Sequence, residues 1–495
     1  MSVRHALAGG GFIAAAFGLS ACEIGPDYHP PDIALAPFRN APTSAKGRSA
    51  PSIDPWWRAF HDPVLERAIR RALDQNLDLS ASLSRLQASR AAAAQADAQL
   101  APQGNLSASV AQQYQSLESP IGVIGRNLPG YERAQRLHDI SIGANWEIDV
   151  FGGLRRLAEA AQAEASASEA AHRGVCVVIV ADTADAYLQI REYQARLRLA
   201  EDQVATQVRL LDLVRLRLTR GVATDREVAQ AEALLYRARN AIPPLQAALD
   251  AQSNRLDVLM GAQPGAYRVE FAKPADIPAP SIGAVGADPA DLLRRRPDLA
   301  VAERKLAAAN ARIGAAIAEY YPKISIAGLL GFESLRADLL FKGATFQPQA
   351  LGALRWRLFD FGRIDAEIAR ADSAMAEALA LYRAAVLRAA EEVENAFMSH
   401  HRLRRQIDIS KQEIAALAKA RSASVAAYEA GAIGLTDVLD ADRQLLVARD
   451  SLAHRRAASA RAAVAIFRAL GIDADATAGS GGRAAATEIA SFAPP

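Results

Sequence analysis

Few side chains in this sequence have the types and spacing needed for chemistry, and the most suggestive are carboxylates. In the stretch Tyr428 to Leu446, YEAGAIGLTDVLDADRQLL, Asp437 and Asp440 follow a pair of glycines, Gly431 and Gly434. Glycine takes the left-handed backbone that ends one helix, and Thr436 or Asp437 can cap the next by accepting a hydrogen bond from a free N–H. The stretch therefore reads as the tip of a hairpin between two antiparallel helices. An earlier copy exists: Gly221 recurs at Gly431, Trp146 at Trp356, Phe151-Gly152 at Phe361-Gly362 and Gly261 at Gly471, all at a constant offset of 210 residues. In that copy the position of Asp437 is held by Glu227, next to Arg226.

A second reactive candidate is Cys22. It follows a weakly basic start, an apolar Ala/Gly/Phe run and the small-residue ending Leu19-Ser20-Ala21. A cysteine directly after an export signal is the pattern of a bacterial lipoprotein, whose thiol is acylated before cleavage. The mature chain then begins at Cys22, with acyl chains as a membrane anchor. Glu23 follows, in place of the Asp that marks retention at the inner membrane. With Cys22 acylated, no second cysteine is left to form a disulfide with Cys176, and in VCVVIVAD on an expected helix it reads as a buried structural thiol.

Enzyme chemistry finds no footing. The eight histidines are scattered, His400-His401 lack helical metal-ligand spacing, and no phosphate-loop or nucleophile-elbow pattern occurs. No metal and no cofactor are expected beyond the covalent lipid. The net charge of +2 over 495 residues, with acids interleaved among the arginines, leaves no electrostatic footprint for nucleic acid. Outside the signal no run reaches 18 consecutive apolar residues, so no transmembrane helix is expected.

The elements that must position these residues show two periods. From His138 to Phe151, Ile140, Ile142, Ala144, Trp146, Ile148 and Val150 alternate with polar residues, a strand with one apolar and one polar face. Leu106, Ala108 and Val110 begin a similar strand, and Ile324–Phe332 and Leu354–Phe361 repeat the pair. Spans of about 9 to 11 residues, apolar outward, fit the wall of a transmembrane β-barrel. Four strands cannot close, because the smallest single-chain barrels use about eight, and an open edge in lipid leaves backbone groups unpaired. Several chains must then share one barrel. The remaining sequence is helical: about Val64 to Leu100, Leu154 to Arg220 and, after the first tip, Asp225 to Gly261, broken or kinked at Pro243-Pro244. The second of these extends about 100 Å at 1.5 Å per residue. Leu197, Val204, Leu211 and Leu218 recur every seven residues towards the tip, as in a coiled coil.

This divides the chain into a lipoprotein signal peptide (1–21), an extended arm docking by Trp56 and Trp57 (22–63), a first repeat (64–261), a Pro-rich linker (262–289), a second repeat (290–471) and a disordered tail (472–495). Asp298 matches Asp78 and Pro322 matches Pro102 at an offset of 220, so the first strand-loop-strand unit is ten residues longer, an excess expected between Ser116 and Gln135.

The stretches Cys22-Glu-Ile-Gly-Pro-Asp-Tyr28, Trp56-Trp57 with Phe60 and Asp62-Pro63, Arg295-Arg-Pro-Asp298 continuing through AERKLAAANARIGAAIAEYYPKIS, Trp356 to Arg363, and the tip from Tyr428 to Asp442 occur in an order that covers nearly the whole mature chain. In these the chain resembles the outer-membrane efflux proteins, the TolC-like channels, and within them the lipoprotein branch of Gram-negative multidrug pumps. The resemblance implies a mostly α fold with a membrane β-barrel: long helical hairpins forming an α-barrel, four strands per chain, internal duplication, and a barrel completed by trimerisation. It implies a homotrimer anchored in the outer membrane, passively conducting small molecules from a periplasmic adaptor and an inner-membrane pump of the resistance-nodulation-division class. It implies that Asp437 and Asp440, with Glu227, form acidic rings at a periplasmic gate, where rings of carboxylates attract cations and repel anions. Tyr428 matches a tyrosine of the closed-state bonding network, and an arginine that assists closure in some members falls at Ile433, so that link is absent or replaced. Gly221, Gly431 and Gly434 are implied adaptor-docking tips.

Two other classes share parts of this pattern. A periplasmic adaptor would have one hairpin flanked by lipoyl-like β-segments, and a lipid-anchored coiled coil would lack the alternating strand pairs.

Overall fold

A computed structural model describes residues 23–40, 55–280 and 295–472. The signal peptide, the acylation candidate Cys22 and the tail from residue 473 lie outside the described residues. The chain divides into two compact units, one of residues 1–31, 87–167 and 302–381, the other of 32–86, 168–301 and 382–495.

In chain order the elements are α1 (Pro63–Gln75), α2 (Leu77–Ala98), β1 (Gln103–Tyr114), β2 (Ala134–Ile148), α3 (Gly153–Thr219), α4 (Asp225–Asn240), α5 (Ile242–Leu259), α6 (Pro297–Ala318), β3 (Lys323–Ser334), β4 (Phe346–Arg355), α7 (Arg363–Glu429) and α8 (Leu435–Ala469). The helix-strand-strand-helix-helix order occurs twice. Single turns of helix lie at Trp56–Phe60, Pro120–Gly125 and Arg268–Ala272.

The first unit carries a four-stranded antiparallel meander, β1-β2-β3-β4. Its register places Leu106, Ile142, Leu330 and Pro348 in one row and Trp146 beside Ile326 in another. These rows form an apolar face that is solvent-exposed in the single chain, Leu106 at 69% and Leu330 at 60%. On the opposite face Ser107 and Ser141 meet at 2.9 Å. Both β1 and β4 are edges without partners in the sheet, the unpaired condition that drives strand addition. The connection between β1 and β2 spans residues 115–133 and that between β3 and β4 spans 335–345, so the longer loop of the first repeat falls where the offsets put it.

The fourth strand is shifted from expectation. It ends at Arg355, and Leu354–Phe361 is mostly the turn into α7. Asp360 causes this, accepting hydrogen bonds from the amides of Gly362 (3.2 Å) and Ile364 (2.8 Å), with Phe361 and Gly362 both in the left-handed region. Trp356 therefore lies past the strand, where its indole donates to the Tyr320 carbonyl at 2.9 Å, as Trp146 donates to Leu100. The arm is also fixed in this unit. The buried Arg156 guanidinium bonds the Ile24 carbonyl and pairs with Asp27 (2.8 Å), Glu159 (2.8 Å) and Glu23 (3.5 Å). Gly25 lies so close to Gly314 that a Cβ on it would sit 2.4 Å from the Gly314 Cα.

The second unit is built around Trp56, Trp57 and Phe60, all buried, with Trp56 stacked on Phe467 at 5.0 Å. Asp62 caps α1 through the amides of Val64 and Leu65 and accepts the Tyr187 hydroxyl at 2.5 Å. The single helix expected from Val64 to Leu100 is two helices. Asn76 turns to an extended backbone, caps α2 through Asp78 and Leu79, and donates to the Leu259 carbonyl at 2.9 Å. The return helix breaks at Ala241, and Pro243-Pro244 sit in the first turn of α5, where a missing N–H costs nothing. The second copy has no prolines there, and α8 runs unbroken. Helices α3 and α8 are joined by three pairs in one antiparallel register: Asp185 with Arg461 (2.5 Å), Glu192 with His454 (2.8 Å) and Arg196 with Asp450 (2.8 Å). Among the described residues no helix is long and apolar enough to cross a membrane.

Candidate functional site at the hairpin tips

Both long helices end alike. The Gly221 amide donates to the Leu218 carbonyl and Val222 to Arg217; Gly431 donates to Tyr428 and Ala432 to Ala427. This is the Schellman arrangement, which requires the left-handed glycine found at φ +73° and +77°. A Cβ at either glycine would meet nothing within 4 Å, so both tips are open surface.

The return helices start differently. Thr224 caps α4 in a full capping box: its hydroxyl accepts from the Glu227 amide, and Glu227 Oε2 accepts from the Thr224 amide at 2.8 Å. At the equivalent position α8 has Gly434, without a side-chain cap. The expectation that Thr436 or Asp437 caps this helix is corrected: α8 begins at Leu435, so both residues are already inside its first turn.

The three candidate carboxylates therefore differ in state. Glu227 is consumed by the cap. Asp440 is held by Arg443 (2.8 Å) and Gln444 (2.6 Å), and the Arg443 hydrogen bond foremost keeps its carboxyl below the usual carboxylate range. Asp437 is exposed; its amide donates to the Gly434 carbonyl at 3.3 Å, and its carboxylate makes no hydrogen bond or ion pair with any described residue.

Behind the tips lies a small core of Leu210, Leu211, Val214, Ala231, Leu235, Tyr428, Leu435 and Val438, drawn from both repeats. Leu211 of the seven-residue recurrence is in it, and Val204 packs against it. Tyr428 is 2% exposed, and burial raises its phenol pKa. Its hydroxyl has no hydrogen-bond partner among the described residues. Its bonding runs through other atoms: Arg217 Nη1 donates to the Tyr428 carbonyl at 2.8 Å, and the guanidinium lies 4.4 Å from the ring centroid. Arg217 Nε, Gln207 Oε1 and Asp442 Oδ2 are also buried without partners here, although Asp442 Oδ1 accepts from Arg421 at 2.7 Å.

The structure thus brings Tyr428 and the two tips together, and leaves Asp437 and Gly434 facing outward from the core. Arg217 and the Arg421–Asp442 pair were missed by sequence reasoning. The constant offset aligns Asp442 with Glu232, which pairs with Arg215 at 2.6 Å, but it does not find the arginine, because Arg421 stands where the first repeat has Leu211. No signal marks Arg217 either, whose counterpart is Ala427. Towards the tip, beyond the Arg196–Asp450 pair, a groove of about 500 Å³ opens between α3, α4 and α8, flanked by Gln203, Arg443 and Asp440. Among the described residues no cluster of three or more His, Cys, Asp or Glu could hold a metal ion.

Comparison with known proteins gives a consistent picture. Residues 68–262 and 289–472 match the model of the family described as outer membrane efflux protein. The pyoverdine export outer membrane protein OpmQ of Pseudomonas aeruginosa is 32% identical over 461 residues, 93% of this chain and 95% of that protein. Nodulation protein T of Rhizobium leguminosarum bv. trifolii is 29% identical over 88% of this chain and 91% of its own length. Among solved structures, the outer-membrane channel OprN superposes with a TM-score of 0.82 at 31% identity, covering 91% of this chain and 99% of that one.

Proposed function

The chain belongs to the outer membrane efflux protein family, and from that premise we propose that it acts as the homotrimeric exit duct of a tripartite efflux pump. It is an outer-membrane efflux channel, of a family of conduits rather than enzymes. The observation that carries the trimer is the sheet: four strands with two free edges and an exposed apolar face cannot stand in lipid alone, and three copies supply a closed twelve-stranded wall. A lipid on Cys22 adds an anchor beside the barrel, because the neighbouring residues 23–27 are clamped by Arg156 within the same unit as the sheet.

Transport is passive. The substrate is a small organic molecule, the class named for relatives that export pyoverdine or toluene. A periplasmic adaptor docks at the open tips around Gly221, Gly431 and Gly434, and an inner-membrane pump of the resistance-nodulation-division class supplies the energy. At the tip the Asp437 carboxylates of three chains ring the entrance and favour cations, with the Asp440–Arg443 pairs behind them.

Photocrosslinking from a probe at Gly434 in living cells tests the docking. Capture of a periplasmic adaptor is expected; a trimer present in the outer membrane that captures none would remove the tip as a docking surface. Planar-bilayer recording tests the ring: Asp437→Ala with Asp440→Ala raises conductance or lowers cation selectivity, and unchanged recordings would remove the carboxylates from the gate.

A further inference from the structure

We propose that Arg217 is the latch that holds the two hairpin tips together, and that it acts on the ring face and main-chain carbonyl of Tyr428 rather than on the phenol hydroxyl. The inference rests on reading the tips as a gate, and adds to that reading the residue that keeps it shut.

Arg217 lies in the last turn of α3, in the first repeat, and Tyr428 in the last turn of α7, in the second. A cation in the last turn of a helix is ordinarily placed by the helix dipole alone. This one does more, because its guanidinium turns to the other hairpin and makes two contacts there, the 2.8 Å hydrogen bond and the 4.4 Å stack. A cation over a desolvated aromatic face gains far more than one in water, and Tyr428 is almost fully buried in the shared core. The accepting carbonyl also receives the Gly431 amide at 3.0 Å, so the latch grips the residue that sets the second tip's turn. The arrangement leaves Arg217 Nε and the Tyr428 hydroxyl buried without hydrogen-bond partners among the described residues. Within the chain the contacts between the tips therefore run through the ring, the carbonyl and Nη1.

The test reads the distance between spin labels at Val222→Cys and Ala432→Cys, both exposed positions. The labelled full-length chain is diluted into unlabelled chain so that only intrachain pairs contribute. Arg217→Met and Tyr428→Leu are each expected to lengthen and broaden the distance distribution. Arg217→Lys falls between them and the parent, and Tyr428→Phe leaves the distribution unchanged because it removes only an unpartnered hydroxyl. An unchanged distribution in Arg217→Met overturns the latch, and so does a displacement in Tyr428→Phe as large as that in Arg217→Met. Bilayer conductance of the same variants forms a separate arm, with a several-fold rise expected for Arg217→Met. Labels that move apart without any change in conductance would establish the latch and remove the tips from the conduction path.

Discussion

The two hairpin tips are copies of one design, and they spend their carboxylates differently. In the first, Glu227 closes the capping box with Thr224, and its charge is absorbed in starting a helix. In the second, glycine stands in place of the threonine, no side chain caps the helix, and the exposed Asp437 carboxylate has no partner among the described residues. The two copies thus share the turn and the acidic position, while the differences at Thr224/Gly434 and Glu227/Asp437 leave the second carboxylate outside the cap. The position of an acid in a repeat does not reveal its role; the residue three positions earlier does.

The largest effect that would sharpen this contrast is on ion selectivity. Asp437→Asn is expected to lower the cation-to-anion permeability ratio several-fold in bilayer reversal-potential measurements, whereas Glu227→Gln leaves it near the parent value. Equal losses from both would break the distinction. A smaller effect separates the caps. Thr224→Ala is expected to cost about 1 kcal/mol of stability, read as a lowered denaturation midpoint. The converse exchange, Gly434→Thr with Asp437→Glu, builds a second capping box on a backbone already extended at φ −82° and ψ 163°, with room for the new Cβ. It is expected to stabilise the tip by only a few tenths of a kcal/mol, since glycine is itself a tolerated cap residue, and to lower selectivity, because the acid is then engaged by the cap.

The smallest effect concerns Asp440. Its carboxyl is depressed by Arg443 and Gln444, so any stabilisation it gives is complete above the unfolded-state pKa and disappears only as pH falls through the lower folded value. The stability difference between the parent and Asp440→Asn is therefore expected to be the same at pH 7 and pH 5 and to vanish only in stronger acid. A difference that changes between pH 7 and pH 5 would show that the Asp440–Arg443 pair does not form.

Much of this architecture was legible because it rests on periodicity. The period of two in β2, the glycines at positive φ and the fixed 210-residue offset each have one physical meaning, and the structure contains all three. What escaped were contacts that depend on side chains meeting across the chain. Asn76 is an ordinary polar residue until its amide reaches the Leu259 carbonyl, and only then does it end a helix. The expected strand runs past Arg355 because the apolar residues there continue the alternation, while Asp360 instead bonds the Gly362 and Ile364 amides and opens the next helix. At the tip, the resemblance marks Tyr428 for a closed-state bonding network without saying which atoms take part; its ring and carbonyl carry the contacts, and no pattern in the sequence announces Arg217.

The three pairs between α3 and α8 have a mechanical consequence. Since all share one register, a slide of either helix by a single residue would break every rung at once, so the paired segment behaves as a stiff beam. The last rung, Arg196–Asp450, then acts as a fulcrum. From it to Thr219 the helix runs on for about 35 Å at 1.5 Å per residue. Over such a lever a tilt of about 10° carries the tip through about 6 Å, a displacement reached by bending beyond the fulcrum with every rung intact.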